Sequence, residues 1–217
     1  MASLELLKLD TLDPITKRFS LSANIDRSFY SIIEYLRSYH KARTIIIEDY
    51  YIDKDYTNEL SNFYSKTFSS RNGYCERLHF FRDEFHSIDH FRDAFSKGEG
   101  TYLGFMVKRP VAVGKVGRTI IRPKDFANFF HLCSIERDVH LLGNTIKAHG
   151  VPFIEQDSMV MTCAQAAMWM TAKYMHYIYS LPRQLPFDIT EKSTSTIVHL
   201  GRTIPSSGLT IDQMMLV

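Results

Sequence analysis

Between Ser28 and Leu36 the apolar residues Phe29, Tyr30, Ile32, Ile33, Tyr35 and Leu36 recur three and four positions apart, which predicts an amphipathic helix. The β-branched run Thr44-Ile45-Ile46-Ile47-Glu48 predicts a buried strand, and a helix is expected over Asn58–Phe68 after the acidic, tyrosine-rich stretch Asp49 to Tyr56. Turn residues Ser69 to Gly73 precede a candidate strand, Cys75 to Phe81. Phe81, Phe85, Ile88, Phe91 and Phe95 then follow at helical spacing, as a core stripe, up to Gly98-Glu99-Gly100. Tyr102 to Val107 and Val116 to Ile121 read as two further strands, each followed by Arg-Pro, where the missing proline N–H stops a ladder. Further on, Met161 to Leu181 contains neither Gly nor Pro and predicts a helix of roughly five turns. It is apolar nearly all round, as a helix buried between layers would be. A second helix is expected over Asp188–Leu200, capped by Asp188 with Glu191 and stopped at Gly201. Thr210-Ile211-Asp212-Gln213 is a capping-box signature that announces a third.

Composition narrows the class. The chain has 217 residues, 45% hydrophobic and 13% aromatic, enough to bury a full core. A formal net charge of +2 sets up no field that would argue for nucleic acid or an anionic membrane surface. The longest apolar stretch, Met159 to Ala172, is too short to span a bilayer of roughly 30 Å as a helix. Charged residues interrupt the N-terminus where a signal peptide needs an unbroken apolar run. Cys75, Cys133 and Cys163 are odd in number and far apart, so neither a disulfide framework nor a structural zinc site is indicated, and a cytoplasmic setting is expected. No cofactor is called for. Gly117-Arg118-Thr119-Ile120 recurs as Gly201-Arg202-Thr203-Ile204, but the flanks differ and the repeat is read as chance.

The chemistry gathers at Val151-Pro152-Phe153-Ile154-Glu155-Gln156-Asp157 and Thr162-Cys163-Ala164-Gln165-Ala166-Ala167. Cys163 falls where the long helix begins, with Thr162 as candidate N-cap. A thiol in a first helical turn lies at the positive end of the macrodipole, an environment suited to a nucleophile. Thiol attack on a carbonyl also needs donors for the developing oxyanion, and Gln156, a short loop upstream, is the candidate side-chain amide. Taken alone, a cysteine on an apolar helix is usually a small buried hydrophobe.

Together these segments resemble the bacteriocin-leader-peptidase-like branch of the papain-like cysteine peptidases. That branch has Gln-x-Asp followed by Cys-Gly-Pro-Ala-Ala, and later Gly-Leu-Thr-x-x-Gln, which Gly208-Leu209-Thr210-Ile211-Asp212-Gln213 fits. Here Ala164-Gln165 stands in place of Gly-Pro, and the interval from Gln156 to Cys163 is one residue longer than usual. The resemblance covers about the last seventy residues. It implies Cys163 as nucleophile, Gln156 in the oxyanion hole, and a bacterial thiol peptidase acting on a peptide or protein substrate. The family's base histidine follows the Gly-Leu-Thr segment, and this sequence stops at Val217. His176 would lie about 20 Å from Cys163 along one helix, and His199 precedes Gly208. The base is therefore expected outside this chain, in the remainder of a longer protein or in a second subunit.

The expectation is an α/β (α+β) chain: a mixed N-terminal accessory portion, residues 1–150, followed over residues 151–217 by the helical front part of a truncated papain-like domain. The function expected is cysteine-nucleophile hydrolysis, with an inactive papain-like peptide-binding or assembly module as the alternative. Weaker constellations have plainer readings. His86 and His90, with His79, fit a histidine pair at the edge of the core better than a metal site. Glu48, Asp49, Asp53 and Asp55 fit a charged loop. Arg109, Arg118 and Arg122 fit salt bridges on the rim.

Overall fold

Three consecutive isoleucines, Ile45, Ile46 and Ile47, are each 0% exposed. Neighbouring side chains on a strand point to opposite faces, so the sheet that holds them must be covered on both sides. A computed structural model, which describes residues 3–66, 72–124, 132–157, 162–195 and 209–217, has that layered arrangement. Strands β1 (Leu4–Lys8), β2 (Thr44–Tyr51), β3 (Cys75–Phe81), β4 (Tyr102–Lys108), β5 (Val116–Ile121), β6 (Ile135–Leu141) and β7 (Asn144–Phe153) form one sheet, ordered β1-β2-β3-β4-β5-β7-β6. Every adjacent pair is antiparallel. The helices are α1 (Asp13–Phe19), α2 (Arg27–Ser38), α3 (Lys54–Asn62), α4 (Ile88–Ser96), α5 (Cys163–Tyr179), α6 (Pro186–Ser195) and α7 (Ile211–Met214).

Alternation sorts the layers. Ile45, Ile47, Leu78, Phe80 and Met106 pack against Ile15, Phe19, Phe29 and Ile33 of α1 and α2. On the opposite face Phe105, Val107, Ile120, Val139 and Ala148 meet Tyr56 of α3, with Tyr174 and Tyr177 of α5 against them. Farther along that face Ile46 and Phe81 meet Phe91 and Phe95 of α4. The fold is thus mixed α and β, as expected, with an antiparallel sheet.

Several elements depart from the expectations. The phenylalanine stripe is core, but only Ile88–Ser96 of it is helical; Phe81 lies on β3 and Phe85 in the connection, and their rings converge on Phe91 at 5.1 Å. The helix expected from Asn58 begins earlier, because Asp53 caps α3 by accepting the Asp55 and Tyr56 N–H groups. Likewise α6 begins at Pro186, and Asp188 reaches back to accept the Leu185 N–H at 3.0 Å instead of capping from outside. Residues 196–200 of the expected helix, and Gly201 to Gly208, lie outside the described residues. The Thr210–Gln213 capping box is present, with both reciprocal hydrogen bonds.

The β6–β7 hairpin went unpredicted. Its two-residue turn, Leu142-Gly143, has φ of 50° and 79°, the double positive φ of a type I′ turn. Residue 150 falls within β7, whose Val151 to Phe153 pair with Ile121 to Thr119. That pairing delivers the chain from the sheet to the candidate site.

Candidate active site

Gln156 lies just beyond β7, between two anchored neighbours. On one side, the Glu155 N–H donates to the Val116 carbonyl at 2.9 Å, while the Glu155 carboxylate accepts the Val116 N–H at 3.0 Å. On the other, Asp157 is buried, accepts the Tyr64 hydroxyl and lies 3.9 Å from the Arg109 guanidinium. With residues 155 and 157 held inward, the intervening side chain is exposed at the surface. The turn below is Gly114, at φ +70°, where an added Cβ would lie 2.6 Å from the Gln156 carbonyl oxygen and 2.8 Å from the Asp157 Cα. Only glycine allows the two backbones this approach.

Arg109 is the keystone of the assembly. It is 1% exposed and donates from Nε to the Gly114 carbonyl at 2.9 Å, from Nη2 to the Glu155 carbonyl at 2.9 Å, and from Nη1 to both Glu59 oxygens at 3.1 and 3.2 Å. Burial opposes its charge, and Glu59 and Asp157 more than offset that, so it stays ionised. One guanidinium thus serves two buried carboxylates. Burial pushes Glu59 up to about 8, with Asp157 adding to the rise against the pull of Arg109, so Glu59 holds a proton at neutral pH.

Cys163 is the first residue of α5, is exposed, and donates from Sγ to the Gln156 Oε1 at 2.7 Å. The expected nucleophile and the expected oxyanion donor are therefore brought together. The amide presents its oxygen to the resting thiol, and half a turn about its terminal torsion presents Nε2 instead. Thr162 occupies the N-cap position, but its hydroxyl donates to the Gln165 side chain and makes no cap to the backbone. The first-turn N–H groups, that of Cys163 among them, have no side-chain cap.

The faces of α5 differ. Gln165, Ala166, Trp169 and Lys173 are buried, with Trp169 Nε1 donating to Asp55 at 3.3 Å and Lys173 Nζ at 3.1 Å. The opposite stripe, Ala164, Ala167, Met168, Thr171, Ala172 and Met175, lines an open groove of about 560 Å³ that begins one residue from Cys163. The helix is therefore covered on one side, where cover all round was expected.

Among the described residues, Cys163 hydrogen-bonds Gln156 and no imidazole. His176 is occupied near the far end of α5, where Nδ1 meets the Leu181 carbonyl at 2.6 Å, and His199 lies outside the described residues. The weaker constellations are also placed. His86 precedes α4 and stacks on His90 at 5.4 Å, so the two do not share a helical face. His79 is buried on β3 against the Tyr102 hydroxyl, and burial pushes it down to about 4. No group of three His, Cys, Asp or Glu among the described residues is arranged to hold a metal ion, and no described helix is long and apolar enough to cross a membrane.

Two expectations about charge are overturned. Asp53 and Asp55 are each 1% exposed, not part of a solvated loop, because Arg118 reaches Asp53 at 2.6 Å and Lys173 reaches Asp55 at 3.1 Å. Arg109 and Arg118 lie in the core instead of on the rim, at 1% and 3% exposure, while Arg122 is exposed. Each buried cation has an acidic partner on α3 or at its cap, which is what makes its burial tolerable. Set beside models of known families, curated proteins and solved structures, the chain matches none of them.

Proposed function

We propose that the protein is a cysteine-nucleophile hydrolase of papain-like type, most simply a peptidase. The 2.7 Å contact between Cys163 Sγ and the Gln156 amide, at the start of an apolar helix and clear of the core, carries this reading. Sγ attacks the substrate carbonyl carbon while the thiol proton passes to a base. The oxyanion is held by the Cys163 N–H and the Gln156 side-chain amide. The leaving amine takes the proton, and water hydrolyses the thioester to return free enzyme and acid. The apolar groove along α5 gives the substrate's nonpolar side chains a place to lie. The base comes from outside the described residues or from a second chain.

The absence of an imidazole partner to Cys163 among the described residues favours a second reading: a papain-like module that binds peptides without cutting them. Iodoacetamide separates the two, with exposed Cys133 as internal reference. The hydrolase reading expects Cys163 to label at least about tenfold faster than Cys133. Equal labelling of the two thiols would leave the binding module.

A further inference from the structure

Where β5, β6, α3, α5 and the chain between α5 and α6 converge, four cations gather around two carboxylates. Arg118 lies 2.6 Å from Asp53 and 3.6 Å from Asp55, and Lys173 and Arg183 approach Asp55 at 3.1 and 3.3 Å. Arg137 of β6 completes the group within electrostatic reach of Arg118 and Arg183, and among the described residues it forms neither an ion pair nor a hydrogen bond. The cluster carries two more positive charges than negative ones. The neighbouring cluster does not cancel them: Glu59 holds a proton at neutral pH, so Arg109 is balanced there by Asp157 alone.

The hydrogen bonds show the same imbalance. Arg118 Nε, Arg137 Nη1 and Arg183 Nε are each shielded from solvent and without an acceptor. Arg118 has a side chain only 4% accessible. Buried guanidinium N–H groups are ordinarily satisfied, and here three orphan donors on three arginines outnumber the one orphan acceptor of the cluster, Asp53 Oδ2, which already faces Arg118 at 2.6 Å. A water molecule could meet one or two of these donors but would leave the charge standing. Guanidinium forks match tetrahedral oxyanions in shape as well as in charge. Arg183, at 24% side-chain accessibility, and half-buried Arg137 form the outer side, through which an ion would enter.

We propose that Arg118, Arg137 and Arg183 form a binding site for a small dianionic oxyanion of the phosphate or sulfate type. The site is distinct from the Cys163–Gln156 corner and independent of the catalytic reading. Bound, the ion ties the sheet, through Arg118 and Arg137, to the segment that follows α5.

Inorganic phosphate is the direct probe, titrated against sodium chloride at matched ionic strength, with melting temperature and equilibrium dialysis of the phosphate as readouts. The proposal expects saturable binding and a saturable rise in melting temperature in phosphate that chloride does not reproduce. Arg137→Gln removes a charge that pairs with nothing, so this variant should fold as well as the parent without phosphate and bind phosphate at least tenfold more weakly. Cys163→Ala should respond as the parent does. Identical behaviour in phosphate and chloride, or an undiminished response in Arg137→Gln, would overturn the proposal. Should Arg137→Gln fail to fold, Arg183→Gln in the dialysis experiment decides by the same criterion.

Discussion

The two ends of the chemistry on α5 are built on opposite principles. At Lys173, in the second half of the helix, Lys173, Trp169, Arg118 and Asp55 are buried, and Arg183 joins them in converging on Asp55. At its first residue, Cys163 and Gln156 are exposed and held to each other by a single contact. The buried end fixes where the helix lies, and the exposed end contributes little to holding the fold. The side chains suited to chemistry are thus those that stability does not require, and their positions are set by the residues around them.

That contrast predicts very unequal effects of substitution. Asp55→Ala would leave Lys173, Arg118 and Arg183 facing one another in the interior, and should cost about 3–5 kcal/mol in urea unfolding, enough to threaten the fold. Gly114→Ala combines a positive φ with a Cβ 2.6 Å from the Gln156 carbonyl oxygen. It should cost about 1–3 kcal/mol and, by displacing Gln156, slow the labelling of Cys163. A variant that lost the stability while keeping the labelling rate would show that the turn does not position the glutamine.

Glu59→Gln makes a subtler test. Burial raises Glu59 to about 8 in the folded protein, against an ordinary 4.5, so the folded state binds the extra proton between those values. The contribution of this group to stability is full below about 4.5 and is lost as pH rises through about 8. The urea midpoint of the parent should therefore fall relative to that of the glutamine variant over this window, with the two similar at the acid end. A constant difference across the window would mean that Glu59 is ionised in the fold. Smallest of all, Cys163→Ala and Gln156→Ala should each change stability by no more than about 0.5 kcal/mol, as exposed substitutions do.

The same contrast governs what could be read from the sequence. Helix α5, the central strands and the capping box at Thr210 announce themselves through local periodicity and spacing, and Cys163 and Gln156 through a short ordered motif. The buried network does not. Charged residues are almost never fully buried, so Asp53 and Asp55 look like part of a charged loop, and Glu59 like one more polar position of the helix expected from Asn58, until their partners are known. Those partners stand far along the chain: Arg109 is 50 residues from Glu59, and Lys173 is 118 from Asp55. No local pattern encodes such pairings. The β6–β7 hairpin was more accessible, since Ile135, Val139 and Leu141 are inward positions at even spacing and Leu142-Gly143 provides the turn. Arg137, an inward-facing position on that strand occupied by a cation, masks the alternation.

The central claim is that Cys163 and Gln156 act together on an acyl group. Single-turnover acylation by an activated ester such as p-nitrophenyl acetate tests it most directly, run at about pH 9 so that thiolate forms without a general base, with the adduct located by mass spectrometry. The account predicts that Cys163 acylates well ahead of Cys133, that Gln156→Ala slows the step by about 10²-fold through loss of an oxyanion donor, and that Cys163→Ala abolishes the fast phase. Equal acylation of the two cysteines, with no effect of Gln156→Ala, would contradict it.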